Sequence, residues 1–195
     1  MIKAGLTGSI GMGKSTTADM FREEGIPVHD ADATVHALYE GEAVPLVEAS
    51  FPGTTKNGKV NRELLGKQVI GNPKAMKELE QIVHPLVHAR EQEFLRRSEK
   101  EGVRLVVLDI PLLFETGGNA RVDIVIVVSA SERQQRERVL ARDGMTEEKF
   151  LNILSKQVPD AEKRKRADYV IDTGQGMENA RSAVRQIIAE LDKNL

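Results

Sequence analysis

The sequence predicts an α/β fold, in which a parallel sheet of five strands is flanked by helices on both faces. Short apolar runs rich in β-branched residues are typical of strands buried on both faces of such a sheet. The chain contains five of them, of which the last is the weakest: Ile2–Thr7, Ile26–Asp30, Val103–Asp109, Val122–Val128 and Tyr169–Asp172. Helical patterns, for example Lys14–Glu24 and Met177–Leu191, alternate with these runs. The alternation favours three layers, with the sheet between two layers of helices.

The uneven spacing of the strands predicts how the domain is organised. Residues 31–101 contain no convincing strand, but they show helical patterns at Ala33–Glu40, Arg62–Ile70 and Lys74–Arg97, so we expect a helical insertion. Residues 131–166 are also strandless and dense in charge, with a helix start signal at Thr146–Glu148, and we expect them to form a helical lid. The core of this single domain then consists of residues 1–30, 102–130 and 167–195.

The composition excludes several classes of protein. The formal net charge is -2, from 28 Lys and Arg against 30 Asp and Glu, so no global field attracts the chain to nucleic acid or an anionic membrane. Cysteine is absent, which excludes disulfides, thiolate catalysis and Cys-ligated zinc. No apolar run reaches the ~18–20 residues of a membrane span, and the N-terminus does not resemble a signal peptide. We therefore expect a cytoplasmic location, with neither a nucleic-acid nor a membrane partner.

A phosphate-binding loop is predicted between the first strand and the first helix. Residues Gly8–Ser15 read GSIGMGKS, which fits the pattern GxxxxGKS in the strand-to-helix context that this pattern requires. Glycines let such a loop, known as a P-loop, turn backbone N–H groups inward around an anion at a helix N-terminus. Lys14 then supplies a charge for the β- and γ-phosphates, and the Ser15 hydroxyl is placed to ligate Mg²⁺. The expected nucleotide-binding residues are Gly11, Met12, Gly13, Lys14, Ser15 and Thr16.

The sequence around this loop favours an ATP-dependent kinase that acts on a small molecule. A GTPase would carry an Asn-Lys-x-Asp run after a late strand, and the chain has none. A short core with a helical insertion for the acceptor and an Arg-rich lid is instead typical of P-loop kinases. Two alternatives stay open: another P-loop kinase that acts on a nucleoside monophosphate or small alcohol, and a nucleotide-dependent switch that binds ATP without an acceptor.

Two acids are candidates for catalysis and metal binding. Asp32 follows the second strand, at the carboxyl end where ligands of parallel sheets bind, and it could accept the proton of a substrate hydroxyl or bind metal. Its structural alternative is the N-cap of the next helix. Asp109 ends the third strand and could hold Mg²⁺ through water. Its alternative role is to stabilise the turn at Pro111.

The lid contributes one basic candidate. Arg138 and Arg142 are spaced i,i+4, so we expect them on one helix face. Such charged runs are more often a solvated surface, but Arg142, followed by Asp-Gly at a helix end, is the candidate for closing over the transferring phosphate. His84 and His88 share the same spacing, yet Pro85 and the lack of an HExxH pattern argue against a zinc site.

These motifs together resemble the dephospho-coenzyme A kinase family over nearly the whole chain. The phosphate loop is shared with many families, whereas Asp109–Glu115 (DIPLLFE) and His84-Pro85 are more selective for this one. The other matching residues, in chain order, are Asp30-Ala31-Asp32, Asn61-Arg62, Leu65, Leu79-Glu80, Arg138, Arg142-Asp143-Gly144, Gln157 and Ala167–Asp172. Ile70 and Thr173 depart from the family pattern, in which Phe and Asn are frequent, and neither change removes a reacting group.

The resemblance implies transfer of the γ-phosphate of ATP to the ribose 3′-hydroxyl of dephospho-coenzyme A, with Mg²⁺ as the cofactor. By the same resemblance, Asp32 is the catalytic base and Arg142 serves the phosphates. The insertion that begins at Ala33 would close on the acceptor.

Overall fold

The computed structural model describes residues 1–193, which form two compact units. The first unit comprises Met1–His29 together with the chain from Ser98 onward, and the second comprises Asp30–Arg97. The predicted division into core, insertion and lid stays a prediction.

The described residues form seven strands, nine α-helices and two short 3₁₀ turns. The strands are β1 (Ile2–Thr7), β2 (Val28–Asp30), β3 (Thr55–Lys56), β4 (Lys59–Val60), β5 (Leu105–Asp109), β6 (Ile124–Ser129) and β7 (Tyr169–Asp172). The α-helices are α1 (Lys14–Glu23), α2 (Ala31–Leu38), α3 (Ala43–Ser50), α4 (Arg62–Val69), α5 (Pro73–Lys100), α6 (Glu132–Leu140), α7 (Glu147–Leu154), α8 (Asp160–Lys165) and α9 (Met177–Lys193). Two 3₁₀ turns lie at Gly118–Arg121 and Thr173–Gln175.

The main sheet confirms the predicted α/β class. Five strands of the described chain form it in the order β2-β5-β1-β6-β7, and β1 runs parallel to both of its neighbours. The register pairs Leu6 with Asp109 on one side of β1 and Thr7 with Val127 on the other. The carboxyl ends of β1, β5 and β6 therefore lie side by side, and the loops that follow them start from one edge of the sheet.

The core of the first unit consists of this sheet and the helices that cover it. Leu6, Val107 and Ile126 are completely buried in one cluster with Phe21 of α1 and Val184 of α9. Burial of one such side chain contributes roughly 1.5–3 kcal/mol. This burial explains why the central strands are almost continuously apolar.

The second unit has an apolar core of its own. Leu38 of α2, Val47 of α3, Leu65 of α4 and Val83 of α5 are buried in a separate cluster. Each helix presents one apolar stripe to this cluster, as expected of amphipathic helices in a small bundle.

A short hairpin in the second unit corrects the expectation that residues 31–101 contain no strand. β3 pairs with β4 in antiparallel fashion, with Thr55 opposite Val60. Asn57 and Gly58 connect them with φ angles of 52° and 73°, as tight hairpin turns require. Each strand has only 2 residues, which is too short for an alternating apolar pattern to appear.

Three helices span residues 131–166 of the first unit. A capping box formed by Ser131 and Gln134 starts α6. Thr146 caps α7, as its start signal predicts. Because α6 ends at Leu140, Arg142 lies beyond it in a turn, and the expectation that Arg138 and Arg142 share a helix face is wrong. No helix within residues 1–193 has the length and apolar character needed to cross a membrane.

Candidate active site

The loop Gly8–Ser15 connects the end of β1 to the start of α1. Gly11 and Gly13 have φ angles of 78° and 93°, which residues with a Cβ rarely adopt. The Met12 N–H donates to the Ser9 carbonyl at 3.1 Å, so the chain turns tightly before the helix. The first N–H groups of a helix have no partner within it and bind anions readily.

Close packing also requires glycine at two positions of the loop. A Cβ on Gly8 would lie 2.8 Å from the Val128 carbonyl oxygen, and one on Gly11 would lie 2.4 Å from the Val139 Cγ2 atom. β6 and α6 therefore approach the loop so closely that a side chain at either position would displace it.

Side chains from three later segments hold the loop in place. Gln135 Nε2 donates to the Ile10 carbonyl at 2.8 Å, and the Ile10 N–H donates to Gln157 Oε1 at 3.0 Å. The Thr173 hydroxyl donates to the Met12 carbonyl at 2.7 Å. The loop is thus stabilised by residues more than a hundred positions away in sequence.

Lys14 and Asp109 form a largely buried ion pair at the carboxyl edge of the sheet. Their side chains are 14% and 1% exposed, and the Lys14 ammonium donates to Asp109 Oδ1. Asp109 is opposite Leu6 in the strand register, so β5 places this carboxylate beside β1, the strand that leads into the loop. The structure therefore brings together the two predicted residues of opposite charge.

The first turn of α1 presents two hydroxyl groups. Ser15 and Thr16 are both exposed, whereas Thr17 is buried and donates to the Gly13 carbonyl at 3.1 Å. The predicted metal ligand Ser15 and the predicted nucleotide contact Thr16 are therefore accessible to a ligand.

A cavity of about 280 Å³ adjoins the loop. Its lining includes Gly11, Thr16, Arg138, Arg142 and Met177. The two guanidinium groups in this lining suit an anionic ligand. Arg138 and Arg142 thus line one cavity although they do not share a helix face.

Asp32 belongs to the second unit, and it does not cap helix α2. The cap of α2 is Asp30, whose Oδ1 accepts the Ala33 N–H at 2.9 Å. Asp32 lies in the first turn of α2 and its side chain is exposed. The structural alternative for Asp32, the N-cap, is therefore wrong.

A second ion pair in the first unit is buried to a similar degree. Lys163 of α8 is 0% exposed, and its Nζ lies 2.9 Å from Glu115 Oε1, in a side chain that is 13% exposed. The same oxygen accepts the Val158 N–H at 2.8 Å. Burial raises the pKa of the Glu115 carboxyl, but the nearby Lys163 ammonium and the Val158 N–H outweigh it, so the pKa lies below its usual 4.5.

Comparison with known proteins identifies the family. The sequence model of the dephospho-CoA kinase family matches residues 2–179. The chain belongs to the dephospho-CoA kinase family. It is 62% identical over 191 residues to a protein of that name from Mesorhizobium japonicum, which covers 98% of this chain and 97% of the relative.

Solved structures agree with this membership. A crystal structure of a protein from Thermus thermophilus is 37% identical, with a TM-score of 0.85 and 97% of both chains covered. A dephospho-CoA kinase from Campylobacter jejuni is 28% identical, with a TM-score of 0.75 and 98% of both chains covered. The resemblance found in the sequence is thereby confirmed.

Some residues that support the site of this dephospho-CoA kinase family member have no recognisable local signal in the sequence. Gln135 and Lys163 carry no motif signal, because a glutamine and a lysine in a charged helical segment are usually solvated. Gln157 and Thr173 stand out only by comparison with the family pattern. The contacts of Gln135, Gln157 and Thr173 with the loop, and that of Lys163 with Glu115, depend on the tertiary fold, so no local pattern reveals them.

Proposed function

We propose how the described residues carry out the reaction of the family, the ATP-dependent phosphorylation of dephospho-coenzyme A. The phosphoryl group enters on the ribose 3′-hydroxyl, and the products are coenzyme A and ADP. The observation that carries the proposal is the glycine loop that ends in Lys14, beside the Asp109 carboxylate and a cavity lined by two arginines.

The loop and two basic side chains would bind ATP. Backbone N–H groups of Gly11–Thr16 suit the β- and γ-phosphates, because they belong to a tight turn and the first turn of a helix. Lys14 has a flexible stem, so its ammonium can turn from Asp109 toward phosphate oxygens. Arg142, exposed at the cavity, would oppose the charge that develops on the transferring group.

The oxygen donors near the loop fit Mg²⁺. The Ser15 hydroxyl and the Asp109 carboxylate are hard oxygen ligands, and Mg²⁺ in phosphoryl-transfer sites usually keeps several waters beside one or two protein ligands. We propose Ser15 as a direct ligand and Asp109 as a ligand through water. The bound ion would neutralise charge on the β- and γ-phosphates.

Asp32 is the proposed general base. Because Asp30 caps α2, the exposed Asp32 carboxylate is not needed to start the helix. It can accept the proton of the 3′-hydroxyl as that oxygen attacks the γ-phosphorus. The insertion at 31–101 would bind the acceptor, and the lid at 131–166 would cover the phosphates.

An acceptor panel tests the assignment. Purified protein with Mg²⁺-ATP should convert dephospho-coenzyme A to coenzyme A in preference to AMP, CMP, shikimate or water, as followed by mass spectrometry. Adenosine should lose turnover as well as affinity, because it lacks the remote groups whose binding positions the hydroxyl. Comparable rates with AMP or shikimate would overturn the acceptor assignment, and hydrolysis without acceptor phosphorylation would favour a switch.

The cytoplasmic location expected from the sequence stays a prediction. The absence of cysteine suits a reducing compartment. Cell fractionation with an antibody against the protein would test it.

A further inference from the structure

We propose that Thr173 is a positioning residue for ATP, because its hydroxyl fixes one peptide of the phosphate loop and one arginine of the adjoining cavity. The inference rests on the proposed function, since it assumes that the loop binds the donor. It concerns a residue that does not itself react, and it is carried by contacts within the first unit.

Thr173 makes four polar contacts with three other residues. Its Oγ1 lies 2.7 Å from the Met12 carbonyl oxygen and 3.2 Å from the Ser129 carbonyl oxygen. Arg138 Nη1 donates to the same Oγ1 at 2.9 Å, and Arg138 Nη2 donates to the Thr173 carbonyl at 2.9 Å. A hydroxyl has one proton and two lone pairs. The proton therefore goes to the nearer Met12 carbonyl, and a lone pair accepts from Arg138.

The contact with Met12 determines how the next peptide is oriented. In a trans peptide the C=O and the N–H point in opposite directions, so holding the Met12 carbonyl toward Thr173 directs the Gly13 N–H away from it. Gly13 has a φ of 93° and no side chain, and such a peptide can rotate at little steric cost. The Thr173 hydroxyl opposes that rotation and keeps one loop N–H oriented for phosphate.

Thr173 also packs directly against the loop. A Cβ built on Gly13 would lie 3.3 Å from both the Cγ2 and the Oγ1 of Thr173. The methyl group thus contributes only to the close packing, whereas the hydroxyl also fixes the orientation of the Met12 peptide. These two contributions can be separated by substitution.

The contact with Arg138 extends the effect to the cavity. Both nitrogens of the guanidinium fork are occupied by oxygen atoms of Thr173, which orients the plane of the fork. Arg138 and Thr173 both line the cavity beside the loop. One side chain therefore links the phosphate loop to a guanidinium that lines the adjoining cavity.

Two variants of Thr173 test the proposal. Thr173→Val keeps the shape and removes the hydroxyl, whereas Thr173→Ser keeps the hydroxyl and removes the methyl group. Calorimetric titration with ADP should show roughly 3- to 30-fold weaker binding for the valine variant, as for a lost hydrogen bond to a loop that binds charge. The KM for ATP should rise with it, the KM for dephospho-coenzyme A should not change, and the serine variant should bind ADP like the wild type.

A matched control separates positioning from stability. Thr54 is completely buried in the second unit and its hydroxyl donates to the Phe51 carbonyl at 2.7 Å. Thr54→Val should lower the melting temperature to a similar degree and leave ADP binding unchanged. If Thr173→Val does not fold, Thr173→Ala takes its place with the same expected loss of ADP affinity.

Two results would overturn the proposal. One is ADP binding of wild-type strength in the valine variant, and the other is an equal loss in the valine and serine variants, which would assign the effect to packing alone. ADP binding is measured without an acceptor. A failure of the dephospho-coenzyme A assignment would therefore leave this result intact, and the two failures are distinguishable.

Discussion

Replacing Lys163 with methionine should destabilise the protein strongly, because it leaves the Glu115 carboxylate buried without its cation. Lys163 is 0% exposed and Glu115 is 13% exposed, so little water reaches the carboxylate in place of the missing ammonium. Removing one partner of a buried ion pair typically costs ~3–5 kcal/mol. We expect Lys163→Met to fall near the lower end of that range, since the Val158 N–H still donates to Glu115.

A double variant that removes both charges tests the coupling between Glu115 and Lys163 directly. In Glu115→Gln/Lys163→Met neither charge remains, and the glutamine oxygen can still accept the Val158 N–H. Replacing both ions of a buried pair is often close to neutral. The double variant should therefore be more stable than either single variant, with a coupling free energy of about 2 kcal/mol or more.

Urea unfolding at neutral pH measures these free energies, with the m-value checked for constancy. Lys165→Met is the matched control, because Lys165 also lies on α8 and forms an ion pair with Glu162 at 2.7 Å, but the two side chains are 70% and 52% exposed. It should change stability by less than about 1 kcal/mol. A Lys163→Met penalty no larger than this, or a double variant that shows the sum of both single losses, would refute the reasoning.

Three further predictions concern pH and catalysis. The lowered pKa of Glu115 means that its contribution to stability is complete above the unfolded value of 4.5 and is lost as pH falls through the folded pKa, so wild type should lose more stability on acidification than Glu115→Gln. Lys14→Ala should fold with lower stability, because Asp109 is left buried without its cation, and should abolish phosphoryl transfer, because the charge that opposes the phosphates is removed. Asp32→Asn should lower turnover by ~10²–10⁴-fold while its melting temperature stays close to that of the wild type, because Asp30 caps the helix.

Each of these predictions has a distinct control. Parallel acid-unfolding curves for wild type and Glu115→Gln would contradict the pH prediction. The control for Lys14→Ala is Lys165→Ala, which removes a lysine that is much more exposed than Lys14 and should keep full turnover. Asp19→Asn removes an exposed carboxylate of α1 and should do the same. Wild-type turnover in Lys14→Ala would reject the loop as the donor site, and wild-type turnover in Asp32→Asn would reject Asp32 as the base.

The regular elements were largely predictable because each has a strong local pattern. β1 and β7 begin and end at the predicted residues, and the other predicted strands of the sheet shift by one or two residues. α3 and the hairpin β3–β4 were not predicted. Both lie in a stretch with many Gly, Pro and Thr residues, where short elements form through contacts with the second core rather than through periodicity.

The sequence by itself determined the α/β class, the phosphate loop, the family resemblance and the candidate residues Lys14, Asp32 and Asp109, because these depend on local pattern and residue chemistry. Only the tertiary structure decided that Asp30 rather than Asp32 caps α2, and that Arg142 lies outside α6. It also decided that Gln135, Gln157 and Thr173 hold the loop. Helix ends and hydrogen bonds over a hundred positions depend on packing between distant segments, and one-dimensional periodicity carries no information about that packing.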